Sequence, residues 1–247
     1  MEPCFGIISW FPDNVAERAA RLRRLNLALR QLQTYWPSVD IMILAQNWGE
    51  TRPSPLFPEK VHYYFREGRP GILNARKMLR EEFLKTDYGW IIMTDDDVIL
   101  KVSGDAAAQA DELLKRIYAN PHGFAFVKCA TGDKWYPQIP YKSATLNFGV
   151  VSRYIYEKEG WHYFNIEDGT ACEDVVFPYL LHCKYADLEF DIPEGITHVQ
   201  NEYNPDRMPS TWVPVELNKR SALAKKLWEN TKKIVDYITE YHDLPND

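Results

Sequence analysis

Apolar positions recur along the first two thirds of the chain with two different periods. Short unbroken runs at 4–10 (CFGIISW), 40–45 (DIMILA) and 90–94 (WIIMT) have the length and continuity of strands covered on both faces. Val61 to Phe65 is a further strand candidate, following a loop marked by Pro53, Pro55 and Pro58. Helical spacing fills the gaps. From Val15 to Tyr35, Leu22, Leu25, Leu29 and Leu32 form one stripe, with Arg18, Arg21, Arg24 and Arg30 among them, after a turn at Pro12–Asn14. Residues 71–85 predict a second helix and 106–119 a third, while 124–129 and 145–153 read as strands. Residues 171–182 read as a helix that Pro178 should kink or shorten. The C-terminal part turns aromatic and proline-rich over 201–214 and ends in a helix from about Val215 to Tyr241. The order strand, helix, strand, strand, helix, strand predicts an α/β, Rossmann-like fold: a mostly parallel central sheet flanked by helices.

In such a sheet, ligands collect at the carboxyl ends of the strands. One of those ends is unusual: Trp90–Leu100 reads WIIMTDDDVIL, an apolar run broken by Asp95, Asp96 and Asp97. Three adjacent carboxylates repel one another, and a cation, or a ligand bearing one, relieves that repulsion. Side chains alternate along a strand, so Asp95 and Asp97 share a face and Asp96 points to the other, serving structure. Hard oxygen donors of this kind suit Mg2+ or Mn2+. The competing reading is an Asp-rich turn that caps a neighbouring helix.

Composition narrows the classes. A chain of 247 residues, 45% hydrophobic and 14% aromatic, can bury a substantial core and is not a disordered segment. A formal charge of −6 makes no global case for a nucleic acid or an acidic membrane as partner. Cys4, Cys129, Cys172 and Cys183 show no CxxC spacing, so reduced thiols are expected and a structural zinc site is not. With no secretory-type N-terminus and no run of the ~20 apolar residues a membrane span needs, the expectation is a soluble, cytoplasmic protein without integral membrane association. No repeat or linker divides the chain. Residues 1–247 are therefore read as a single domain, with parts at about 1–102 and about 103–214 and a C-terminal helix at 215–247.

The strand ending in TDDDV, preceded by GILNARKMLREEF and followed by CEDVVF, resembles the GT-A class of nucleotide-sugar-dependent glycosyltransferases, over roughly residues 4–200. The resemblance implies a metal-binding Asp-x-Asp, with Asp97 ligating Mn2+ or Mg2+ and Asp95 facing the ribose or joining the metal. It implies that Asn74 and Arg76 approach the nucleotide diphosphate, although Arg76 could equally pair with Asp95 and hold it. It also implies that Glu173 and Asp174 match the Glu-Asp pair of inverting members, Asp174 as base and Glu173 positioning the acceptor. A late histidine, His198, would be a third metal ligand; as a lone histidine it could equally be a satisfied hydrogen-bonding residue. His162 and His182 are weaker candidates for that place, and Trp161, Tyr163 and Phe164 could form a platform for a sugar ring.

Topology suggests two more groups. Ser9, Trp10 and Phe11, at the end of the first strand, are placed to meet a nucleobase. Asn147 and Gly149, near a strand start, would flank the transferred sugar, with glycine allowing close backbone approach to it. Lys219, Lys226 and Lys233 make a stripe on the last helix, read as solvated in preference to a polyanion contact. The expectation is a metal-dependent glycosyltransferase that moves a sugar from a nucleotide diphosphate sugar, first of all a UDP-sugar, to a hydroxyl of a glycan, a protein or a modified nucleic-acid base. The alternatives are a metal-dependent nucleotidyl or phosphoryl transferase and a sugar-nucleotide-binding module without turnover.

Overall fold

The computed structural model describes residues 1–49, 51–68, 72–96, 98–128, 144–159 and 173–199, with backbone alone at 72–73, 144–147, 173–176, 179 and 198–199. The elements are β1 (Pro3–Trp10), α1 (Val15–Tyr35), β2 (Asp40–Gln46), β3 (Val61–Arg66), α2 (Ile72–Leu84), β4 (Trp90–Asp95) and β5 (Ile99–Val102), then α3 (Ala106–Ala119), β6 (Phe124–Lys128), β7 (Ala144–Ser152), α4 (Arg153–Lys158), α5 (Glu173–Tyr185) and β8 (Ile196–Val199). Their starts have local causes. Asn14 accepts the N–H groups of Ala16 and Glu17 to open α1, and Asp105 accepts those of Ala107 and Ala108 to open α3. The helix expected over 171–182 begins at Glu173 and continues through Pro178 to Tyr185, so the proline does not shorten it. A missing N–H and ring clash cost about 3 kcal/mol inside a helix. Burial of Phe177, Leu180 and Leu181, at roughly 2 kcal/mol each, outweighs that cost.

The fold is α/β, with a mostly parallel sheet between helical layers. Its six strands run in the order β3-β2-β1-β4-β7-β6. The first four pair in parallel, and β7 runs antiparallel between β4 and β6. Alternation along β4 sends Ile91 and Met93 into one apolar cluster and Trp90 and Ile92 into the other. The first cluster is closed by Ala75, Leu79 and Phe83 of α2, Tyr156 of α4 and Phe177 of α5. The second is closed by Leu25, Leu29 and Leu32 of α1 and Leu113 and Ile117 of α3.

Connections from β1 run outward through β2 to β3, and the chain then returns to place β4 on the other side of β1. The carboxyl ends of β1 and β4 therefore flank the point where strand order reverses, the place where sheets of this kind open a ligand crevice. A second ribbon, β5 paired antiparallel with β8, leaves this point and sets His198 opposite Leu100. Gln31 of α1 fixes the ribbon: its amide accepts the N–H of Leu100 at 2.9 Å and donates to the carbonyl of the same residue. No helix among the described residues is long and apolar enough to cross a membrane. The helix expected at 215–241 and its lysine stripe lie outside the described residues, as do His162, Trp161, Tyr163 and Phe164.

Candidate active site: an acidic turn at the switch point

β4 ends at Asp95, and the N–H of Val98 donates to the Asp95 carbonyl at 3.3 Å, closing a four-residue turn over Asp95–Val98. Strand alternation therefore stops at the first aspartate, and the argument that placed Asp95 and Asp97 on one strand face does not extend to Asp97. Asp97 itself lies outside the described residues. The other half of the argument holds, because Asp95 and Asp96 do go to opposite layers.

Each of the two meets an arginine. Asp95 Oδ1 accepts from Arg76 Nη2 of α2 at 2.8 Å. Asp96 Oδ1 accepts from Arg21 Nη1 of α1 at 2.7 Å, and Asp96 Oδ2 accepts from Ser9 Oγ at 2.6 Å. The Asp95 side chain stays 26% exposed, whereas that of Asp96 is 4% exposed. Burial pushes the Asp96 carboxyl above its ordinary value, against the pull of Arg21 and the Ser9 hydroxyl, and Asp95 adds to the rise. Two helices on opposite faces thus supply the cations that relieve the acidic run, and packing accounts for two of its three carboxylates.

This changes the roles of several expected residues. Arg76 is 1% exposed and its Nη2 donates to Asp95, which is the pairing with Asp95 that the sequence allowed beside a diphosphate contact. Ser9 is fully buried and committed to Asp96. Phe11 is in the core, stacked on Trp48 at 4.8 Å. Neither is placed to meet a nucleobase. Trp10, at the same strand end, is half-buried, and Asn74 is exposed on the first turn of α2. Gly149 pairs with Met93 in mid-strand, and a Cβ there would collide with the Phe126 ring, so the close approach it permits is to a side chain of the core. Asn147 follows Phe148 toward the β4 exit, with its backbone alone described.

Glu173 and Asp174 occupy the first turn of α5, as expected, and His198 lies in β8; their side chains lie outside the described residues. His182 is held by Glu189 at 2.6 Å on the outer part of α5. The sequence reading missed Arg21. Its signal was its place on the apolar stripe, four residues before Leu25, where an arginine needs an acidic partner.

No protein-family model and no curated protein matches the chain. Solved structures similar to it include a protein from STIV (14% identity, 81% of this chain and 85% of that one, TM-score 0.45). Another is CMP:2-keto-3-deoxy-manno-octonic acid synthetase in complex with CTP (9% identity, 78% and 90%, TM-score 0.44). A third is a glycosyltransferase involved in glycosylation of the major capsid of PBCV-1 (13% identity, 76% and 81%, TM-score 0.39). Likeness of this degree transfers no residue roles.

Carboxylate oxygens are the donors that Mg2+ and Mn2+ take, and Asp95, part-exposed at the strand end, fits such an ion. Asp96 does not, since both its oxygens are engaged in the interior. Among the described residues no group of three or more His, Cys, Asp or Glu could hold a metal, with Asp97 and the His198 side chain outside them.

Proposed function

We propose that the chain is a metal-dependent glycosyltransferase that uses a nucleotide diphosphate sugar, a UDP-sugar foremost. The observation that carries this reading is the acidic turn at the switch point between β1 and β4, with Asp95 held part-exposed by Arg76. Asp97 and Asp95 would hold a Mn2+ or Mg2+ ion, with His198 of the neighbouring ribbon as a third ligand. When bound, the ion would neutralise charge gathering on the leaving diphosphate.

The chain's own residues would do the rest. Arg76 holds Asp95 in place through its hydrogen bond to Oδ1. Asp174, in the first turn of α5, where the helix dipole favours a negative charge, takes the proton of the acceptor hydroxyl. That oxygen bonds to the anomeric carbon, and the bond from that carbon to the diphosphate breaks with its electron pair on the diphosphate. Glu173 orients the acceptor. Attack on the face opposite the leaving group inverts the centre; an Asp174 on the leaving-group side would instead favour retention.

The alternative is metal-dependent nucleotidyl or phosphoryl transfer, in which Asp95, Asp97 and Asp174 would hold two ions ~4 Å apart. Product analysis separates the reactions. Slow hydrolysis of a nucleotide sugar to nucleoside diphosphate and free sugar supports glycosyl transfer, and release of pyrophosphate from a nucleoside triphosphate would replace it.

A further inference from the structure

A cavity of about 680 Å³ lies apart from the acidic turn, beyond the edge of β6, within the ~300–1,000 Å³ range of ligand sites. One wall is a single face of α3, with Gln109, Glu112 and Arg116 at helical spacing. The opposite wall is the segment Asp191–Thr197, and the floor is Phe126 and Val127. The walls are stitched together at both ends. Arg116 Nη1 donates to the Asp191 carbonyl at 2.9 Å and Arg116 Nε to Glu112 at 2.8 Å. At the other end Gln109 packs on Gly195, where a Cβ would come within 2.5 Å of the amide carbon, and the N–H of Ser103 donates to the Gly195 carbonyl at 2.8 Å. A cleft braced at both ends is pre-formed.

Its chemistry is that of hydroxyl recognition. Glu112, Asp191 and Glu194 offer carboxylate acceptors, Gln109 and Thr197 offer both donors and acceptors, and Ile192 and Pro193 supply apolar surface. Three carboxylates against the one guanidinium of Arg116 disfavour anions. The floor adds a peptide group. Because the N–H of Phe190 donates to the Phe124 carbonyl on this edge, alternation turns the peptide groups of Phe126 to the same side. Glu189 and Phe190 already meet this edge at Phe124, which argues against addition of a peptide strand along it.

We infer that this cleft binds an uncharged oligosaccharide. Under the proposed function, on which this assignment alone rests, the oligosaccharide is the acceptor. The cleft shares Thr197 with β8, next to His198, and Val127 with the carboxyl end of β6.

The test is calorimetric titration of the full chain with maltotriose, cellotriose, mannotriose and chitotriose, and with pentalysine and a heparin-derived hexasaccharide as charged competitors. At least one neutral trisaccharide should bind, and the double variant Glu112→Gln/Glu194→Gln should weaken it about tenfold, the loss expected for one hydrogen bond to a charged group. The melting temperature of that variant without ligand should match that of the parent. Binding by none of the four, binding unchanged in the double variant, or binding of pentalysine or the heparin fragment alone would overturn the assignment. A separate melt with nucleotide sugars distinguishes the failures. Trisaccharide binding without nucleotide-sugar binding would leave the cleft standing and remove the glycosyltransferase; the reverse would do the opposite.

Discussion

Asp96 is the aspartate whose loss should cost the fold most. Truncation to Ala removes the acceptor of Arg21 Nη1 and of the buried Ser9 hydroxyl, and breaking a buried ion pair from one side costs about 3–5 kcal/mol, toward the low end here because the Arg21 side chain is 20% exposed. Asp96→Ala should lower unfolding free energy by about 3 kcal/mol in a urea titration, while Asp96→Asn, which keeps an acceptor oxygen, should lose less. An equal or smaller loss for Ala than for Asn would remove Asp96 from its structural role. The sequence alone assigns Asp96 to structure, but a triplet read on its own shows no partners. Arg21 and Asp96 are 75 positions apart, so pairing them requires the fold. The clue within reach was an arginine on each apolar stripe: Arg21 before Leu25 in α1, and Arg76 before Leu79 and Phe83 in α2.

Helices and strands were more legible than their joins. α1 and α3 begin and end where their periods do, because side-chain caps at Asn14 and Asp105 mark the starts. The expectation that Pro178 kinks or shortens α5 weighed a backbone penalty without the burial that opposes it. The end of α2, expected at 85 and found at Leu84, is held by another element. Arg153 of α4 donates to the carbonyls of Phe83, Leu84, Thr86 and Tyr88 and lies over the Phe83 ring at 5.0 Å. Arg153→Met, which retains an apolar stem, should destabilise by about 2 kcal/mol in denaturant without changing any ligand-induced shift at the acidic turn. Close by, at the start of β2, Asp40 accepts from the Tyr88 hydroxyl and pairs with Lys60 at 3.1 Å. Although burial works against it, those partners and His62 hold the Asp40 carboxyl below its ordinary value of 3.8. A depressed carboxyl stabilises the fold above its unfolded value, and that contribution is lost as pH falls through the folded value. The stability advantage of the parent over Asp40→Asn should therefore be full at neutral pH and shrink below pH 3.8. An advantage that grows on acidification would reverse the assignment.

For the whole molecule, the α/β class and the mostly parallel sheet followed from periodicity, but the order of strands did not. Nothing in the β7 sequence announces that it runs antiparallel between β4 and β6, and nothing in Ile196–Val199 announces that it pairs with β5. Both are non-local choices made by packing. They matter because they put the acidic turn, the β5–β8 ribbon and the cleft beside β6 on one molecule in a definite arrangement. In the proposed function the turn at Asp95–Asp97 takes a nucleotide diphosphate sugar together with a divalent ion. Thermal shifts of the parent and of Asp97→Ala with a panel of nucleotide sugars, with and without Mn2+, test this. At least one nucleotide sugar should stabilise the parent only when Mn2+ is present, and that stabilisation should disappear in Asp97→Ala. No stabilisation by any of them with the metal present, or the same stabilisation in both proteins, would contradict it.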